Sequence, residues 1–187
     1  FYRETCLLHL YVSKRGNGFV ARSYLAPDEP IPDDGLFYRI QGDKAVGVET
    51  TDTVKKGLFG FEIDASAPIP ERLRRCFTEH GYTEDGLVYK GDTSSDEITA
   101  HFMNMLFSHM FLQDIDPDLD KLIKQSAKNL MSHIVDNGYQ LMECNGKPTT
   151  WAKWNLDYFN SFMGWTDACL NSAELLAYLK VTEYITG

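Results

Sequence analysis

The chain has 187 residues, of which 43% are hydrophobic and 13% aromatic, and this is enough for one well-packed globular domain. Its formal net charge of -9 argues against nucleic acid as a partner, because phosphate binding requires clustered Lys and Arg. No apolar run reaches the ~20 residues of a membrane-spanning helix, so no membrane span is predicted. The four cysteines form no CxxC pair, which disfavours a zinc site and favours isolated thiols over two disulfides.

The first half of the chain, residues 1–93, predicts one helix followed by a loop-rich region. Apolar residues recur at helical spacing in residues 1–12. Glycines, prolines and an Asp-Gly pair then interrupt the sequence as far as residue 92, which is typical of long loops that join short strands. A loop region of this length is more often functional than idle. The predicted elements are strands around 19–25, 36–40 and 86–90 and a short helix over 70–80.

The second half, residues 94–187, predicts three long helices. Apolar residues recur every three or four positions over 94–112, as on one face of a helix. Asp116 is a cap and Pro117 a first helical residue, while Gly138 is a C-terminal stop, so a second helix is predicted between them. The remaining predicted elements are a hairpin at Asn145-Gly146, an aromatic loop over 148–167 and a last helix over 166–186.

The alternating directions of successive helices predict that two loops far apart in sequence meet at one end of the domain. Successive helices joined by short loops run antiparallel, so the first and last of the three long helices run parallel. Their N-termini then lie at the same end, and the loops that feed them, 90–97 and 148–167, converge there. Asn171 and Glu174 belong to a polar stripe on the last helix, which suits either the wall of a cavity or an ordinary solvated face.

The run 90–101 holds the densest carboxylates of the chain. Ser94 and Glu97 stand three apart, the spacing of a capping box, and Glu97 and His101 share one helical face. Glycoside hydrolysis needs two carboxyl groups, for which Asp92, Asp96, Glu97 and Asp167 are candidates, with Glu174 one to two turns further along the last helix. The alternative is that Asp96 and Glu97 only stabilise the helix start. His101 is either a donor to a substrate or a structural histidine.

All three tryptophans, Trp151, Trp154 and Trp165, lie within one stretch of 15 residues. Indole rings stack on the apolar C–H faces of sugars, so tryptophans in a loop are typical of a carbohydrate cleft, with ordinary core packing as the alternative. Arg22 is a candidate clamp for an anionic sugar. The histidines are too scattered for a metal site, and no motif predicts a cofactor or a nucleophilic serine or cysteine.

Three stretches of the sequence carry a family resemblance. They are Gly91-Asp92-Thr93-Ser94-Ser95-Asp96-Glu97 with His101, Gly146-Lys147-Pro148-Thr149-Thr150-Trp151 with Trp154, and Leu170-Asn171-Ser172-Ala173-Glu174-Leu175-Leu176. They resemble stretches of bacterial (α/α)6-toroid proteins, the six-hairpin glycosidase architecture, over roughly 85–187. The resemblance implies a mainly α fold of antiparallel helical hairpins, a partial toroid with a loop-rich N-terminal half containing short strands. Residues 1–187 are then expected to be a single domain and part of a larger toroid.

The sequence thus predicts a carbohydrate-active, glycoside hydrolase-like domain without a metal or cofactor. The predicted catalytic residues are Asp92, Asp96, Glu97 and His101, and the predicted substrate-binding residues are Arg22, Trp151, Trp154, Trp165, Asn171 and Glu174. The predicted partner is a carbohydrate ligand, with the rest of a larger chain as a further one, and a secreted or periplasmic location is slightly favoured. The alternatives are a non-catalytic glycan-binding or sensor module and a structural helical subunit, which exposed apolar surface on the first and last long helices would favour.

Overall fold

The computed structural model describes residues 2–187 and shows a mixed α/β fold with 45% helix and 15% strand. The helices within this range are α1 (Tyr2–Tyr11), α2 (Thr51–Lys55), α3 (Glu71–Thr78), α4 (Ser95–Leu112), α5 (Pro117–Asp136), α6 (Leu156–Phe159) and α7 (Ala168–Thr186). The strands are β1 (Ser23–Leu25), β2 (Phe37–Gln41), β3 (Lys44–Gly47), β4 (Glu62–Asp64), β5 (Val88–Lys90), β6 (Gln140–Met142) and β7 (Pro148–Lys153).

The prediction of a mainly α partial toroid is wrong. The first half of the chain builds a five-stranded antiparallel sheet in the order β1-β5-β2-β3-β4, which has no place in a ring of helical hairpins. The strands predicted around 19–25, 36–40 and 86–90 are confirmed as β1, β2 and β5. Strands of three to five residues are too short for a clear alternating pattern, so the sequence revealed the turns of this region and not its pairing.

The centre of the sheet is aromatic and contacts the turn of the β6–β7 hairpin. Tyr38 and Tyr89 face each other across β2 and β5 with ring centroids 5.3 Å apart, and both are fully buried. The Tyr89 hydroxyl lies 3.4 Å from the Cys144 Sγ in the hairpin turn. Burial raises the pKa of both tyrosines well above its ordinary value. The sheet therefore fixes the hairpin from one side.

The three long helices α4, α5 and α7 pack against one another with the predicted directions. The Asp116 side chain accepts the Leu119 N–H at 3.1 Å and caps α5, as predicted. Near the N-termini of α4 and α7, the Thr99 hydroxyl lies 3.1 Å from the Glu174 carboxylate. Near their C-termini, the His109 and Tyr184 rings are 5.8 Å apart. The two helices thus run parallel, which confirms that both begin at the same end of the molecule.

No helix in the described residues is long and apolar enough to cross a bilayer. Cys76, Cys144 and Cys169 are free thiols, and of these three Cys144 alone is buried. Burial in apolar surroundings raises the pKa of the Cys144 thiol, so this group behaves as a small apolar side chain.

Candidate functional site

The start of α4 forms the capping box that its spacing predicts. The Glu97 carboxylate accepts the Ser94 N–H at 2.7 Å and pairs through its other oxygen with the Arg22 Nε at 2.9 Å. Asp96 accepts a short hydrogen bond from the Ser94 hydroxyl, and this contact lowers the pKa of Asp96. Three of the predicted site residues, Arg22, Asp96 and Glu97, therefore have their contacts at the helix start.

Asp92 ties the loop before α4 to the β6–β7 hairpin. Its carboxylate accepts the Thr150 N–H at 2.7 Å and the Thr150 hydroxyl at 2.9 Å, while the Lys56 Nζ lies 3.9 Å away. Its backbone is left-handed, with φ 56°, a conformation that Asn and Asp tolerate better than other side-chain-bearing residues. These bonds confirm that the loops 90–97 and 148–167 converge.

Glu143 supports Asp92 from inside the molecule. It is 5% exposed, and its carboxylate accepts the N–H of Asp92 at 2.5 Å and that of Cys144 at 2.7 Å. Gly91 lies so close that an added Cβ would stand 2.6 Å from a Glu143 oxygen. The carboxylate thus holds the 91–92 turn and the hairpin turn together.

His101 lies in the interior of the domain, on the side of α4 that faces α1. Its ring centroid is 5.5 Å from that of His9. Burial, together with the neighbouring His9, lowers the pKa of His101 to about 4, so the imidazole is neutral at pH 7. His101 does not line the cleft described below, and its contacts fit a structural histidine.

Three of the predicted ligand-binding residues anchor the hairpin on α7. The Trp154 ring is buried, and its Nε1–H donates to the Glu174 carboxylate at 3.2 Å. Glu174 also accepts from the Thr99 hydroxyl at 3.1 Å, and the Asn171 amide donates to the Lys153 carbonyl at 2.9 Å. Because Trp154, Asn171 and Glu174 are buried, they serve to position the hairpin in this conformation.

An open cleft of about 690 Å³ lies on the other side of the hairpin, between β7 and the turn that contains α6. Its aromatic walls are Trp151, which is 41% exposed, and Tyr158. The polar side chains that line it are Gln140, Thr150, Lys153, Asn155, Asp157 and Ser161. An aromatic surface with a few convergent polar groups is the usual composition of a small-molecule site.

Tyr158 is held in place by its own turn. Asn155 caps α6 by accepting the Tyr158 N–H at 2.9 Å, and the Tyr158 hydroxyl donates to Asp167 at 3.1 Å. Burial and the Asp167 carboxylate raise the pKa of Tyr158, so it is a neutral phenol at pH 7. The Lys153 Nζ lies 5.8 Å from the Tyr158 ring centroid. One wall of the cleft is therefore preorganised before any ligand arrives.

The cleft combines stacking surface with hydrogen-bonding groups of both kinds. Lys153 supplies donors, Asp157 supplies acceptors, and the Gln140 amide supplies both. The Asn155 amide already donates to the Gly138 carbonyl at 3.1 Å. Asp157 is the single carboxylate among the residues that line the cleft. In the described part of the chain, no group of three His, Cys, Asp or Glu side chains is arranged to hold a metal ion.

Sequence reasoning indicated the aromatic side chains of this cleft, Trp151 and Tyr158, and missed its polar lining. Trp151 was predicted, whereas Lys153, Asn155 and Asp157 were not. Asn155 stands just before Leu-Asp-Tyr-Phe and is a typical N-cap, so a short helix at this point could have been predicted. Trp165 is 65% exposed but does not line the cleft.

No family model, no curated protein and no solved structure matches this chain. The resemblance to six-hairpin toroid proteins therefore stays a prediction from three motifs. The function is therefore inferred from the cleft and from the residues around it.

Proposed function

We propose that this chain is a carbohydrate-binding module that holds a glycan in the cleft between β7 and the α6 turn. The observation that carries this proposal is the pairing of a half-exposed Trp151 with a preorganised Tyr158 across an open cleft. Indole and phenol rings offer flat apolar surfaces with a polar edge, which suits the C–H faces and hydroxyls of a sugar ring.

The polar lining supports a neutral or weakly charged glycan. The Gln140 amide can donate to one sugar hydroxyl and accept from another, whereas the Asn155 amide is held by Gly138 and Tyr158. Lys153 and Asp157 bring one charge of each sign, so the cleft has no strong preference for an anion or a cation. A volume of about 690 Å³ fits a short oligosaccharide, within the usual range of ligand sites.

A panel of oligosaccharides, screened on an array and then by calorimetric titration, tests this proposal. For any oligosaccharide that binds, Trp151→Ala should weaken the affinity about tenfold, because it removes one stacking surface. Trp165→Ala is the matched control, since it removes an indole that is exposed but outside the cleft. Equal losses in the two variants, or the absence of binding across the panel, would contradict the proposal.

A second candidate is a glycoside hydrolase, favoured by the position of Asp92 beside the cleft. Asp92 binds Thr150, and both Thr150 and Asp157 line the cleft. Two carboxyl groups roughly 5–10 Å apart would be required. Wild-type turnover of a bound oligosaccharide that disappears in both Asp92→Asn and Asp157→Asn would favour the hydrolase. Binding without turnover favours the module.

A further inference from the structure

The outer side of α4 carries a stripe of large apolar side chains that the fold leaves uncovered. Met103, Phe107, Met110 and Phe111 are 56%, 47%, 47% and 60% exposed and lie opposite the buried side of the helix. We call these four residues the α4 face. Single exposed apolar residues are ordinary, whereas a contiguous stripe marks an interaction surface.

The α4 face is also free of formal charge in a chain that is strongly acidic. No Asp, Glu, Lys or Arg occurs between Glu97 and Asp114, although the whole chain carries a net charge of -9. Two copies of an acidic chain repel each other over most of their surface. A surface without charge is where such copies can approach at the lowest electrostatic cost.

The spacing of the α4 face suits packing against an identical helix. Met103, Phe107 and Phe111 are four residues apart and form one i±4 ridge. Ridges of this kind interdigitate with the same ridges of a second helix at about -50°, the commonest class of helix packing. Phe107 is the middle residue of the ridge. A two-fold axis at Phe107 places this residue beside Phe107 of the second copy and packs the two ridges against each other.

The exposed area is sufficient for a specific interface. Ile115 is 78% exposed just beyond the end of α4. Together with the α4 face, Ile115 leaves on the order of 500 Å² uncovered, so two copies would bury on the order of 1,000 Å², the area that a specific interface needs.

We infer that the α4 face binds a second copy of this chain in a two-fold dimer with Phe107 at its centre. This inference does not depend on the proposed glycan binding, because the cleft residues lie on the β6–β7 hairpin and the α6 turn. Each subunit of the dimer keeps its own cleft. The dimer therefore presents two ligand sites on one particle, which raises avidity for a multivalent ligand.

Light scattering after size exclusion, combined with sedimentation over a range of concentrations, tests the dimer. The wild-type chain should run at twice 21.3 kDa. Phe107→Glu should raise the dimer dissociation constant at least ~30-fold, as expected for a central anchor residue. Phe59→Glu is the matched control, because Phe59 is 56% exposed outside the α4 face and the change of charge is the same. Circular dichroism verifies that each variant is folded.

A charge-swap experiment separates a lost interface from a lost fold. Phe107→Glu and Phe107→Lys, each monomeric alone, should form a mixed dimer, because the two-fold axis places the opposite charges side by side. A monomeric wild-type chain at all concentrations would overturn the inference, as would a Phe107→Glu variant that still dimerises or a Phe59→Glu variant that dissociates equally. Failure of the mixture to dimerise would overturn the two-fold axis at Phe107.

Discussion

The two sides of the β6–β7 hairpin use the same residue type in opposite ways. Trp154 on the inner side is 2% exposed and donates to Glu174, whereas Trp151, three residues earlier, is 41% exposed at the wall of a cleft. Positions three apart in extended chain point to opposite sides. The inner side has a satisfied hydrogen bond and packed rings, and the outer side has open surface. A tryptophan's role thus follows from what surrounds it and not from the loop that contains it.

Removal of the inner indole should have the largest effect. Trp154→Ala should lower the free energy of unfolding by ~3–5 kcal/mol, because it leaves a cavity and an unpaired acceptor on Glu174. Trp165→Ala should stay within ~0.5 kcal/mol of wild type, since it removes an exposed ring. Urea unfolding measures both. Equal stability of the two variants would show that the inner side is not structural.

Lowering the pH should reduce the free energy of unfolding through the buried His101 and leave the ligand affinity of the cleft unchanged. Burial lowers the pKa of His101 in the folded chain to about 4, below the ordinary histidine value of about 6.5, so between these values the unfolded chain binds a proton that the folded chain does not. Stability therefore falls as the pH drops from 6.5 to 4, by on the order of 2–3 kcal/mol.

Urea midpoints between pH 7 and pH 4 check this titration, with His101→Asn as the comparison. The variant should show a shallower loss of stability over the same range. A residual slope is expected, because burial also lowers the pKa of His9 and His133. No histidine lines the cleft, so ligand affinity should not follow this titration. Parallel pH profiles for His101→Asn and wild type would contradict the assignment.

Glu174 should matter less than the indole it binds. Glu174→Gln keeps the volume but places an NH2 group where a carboxylate oxygen now accepts from Trp154 or Thr99. The expected loss is ~1–3 kcal/mol of unfolding free energy. Glu183→Gln on the same helix is the control, because its ion pair with Lys180 is exposed and contributes little. A larger loss in Glu183→Gln would be incompatible with this account.

The smallest effect is expected at the hydroxyl that orients Tyr158. Tyr158→Phe removes its donation to Asp167 and should cost ~1 kcal/mol of stability while leaving the ring in the cleft. Ligand affinity should weaken only a few-fold. Asp167→Asn, which alters the same bond from the other side, should give a similar pair of changes. A complete loss of binding in Tyr158→Phe would mean that the hydroxyl, and not the ring, contacts the ligand.

Much of the second half of the fold was predictable from the sequence. The long helices carry sustained periodic patterns and clear caps, so α4, α5 and α7 begin and end within a few residues of their predicted bounds. The alternating directions of these helices then correctly predicted that the loop with residue 92 lies next to the loop with residue 150. The sheet was not predictable as a whole, because its pairing joins short strands that are far apart in sequence. One signal was available: Gly42-Asp43 is a typical two-residue hairpin turn, and it joins β2 to the unpredicted β3.

The side-chain environment was the harder part to predict. The spacing of the sequence predicted that Asp92, Glu97 and Glu174 lie near one another. It could not show that each carboxylate already has a partner within the protein. These partners are Thr150 for Asp92, Arg22 for Glu97 and Trp154 for Glu174. It also could not separate Trp151 from Trp154, because the side of a strand that becomes buried depends on what packs against it. The exposed surface that the sequence associated with a structural subunit is present on α4.

The indole N–H resonances of the three tryptophans offer the most direct test of the account. A nitrogen–proton correlation spectrum gives one such peak for each of Trp151, Trp154 and Trp165, and variants at each position assign them. On titration with a bound oligosaccharide, the Trp151 peak should shift progressively while the Trp154 and Trp165 peaks stay in place. A shift of the Trp165 peak alone, or no shift at Trp151 while the ligand binds, would contradict a glycan site in the cleft.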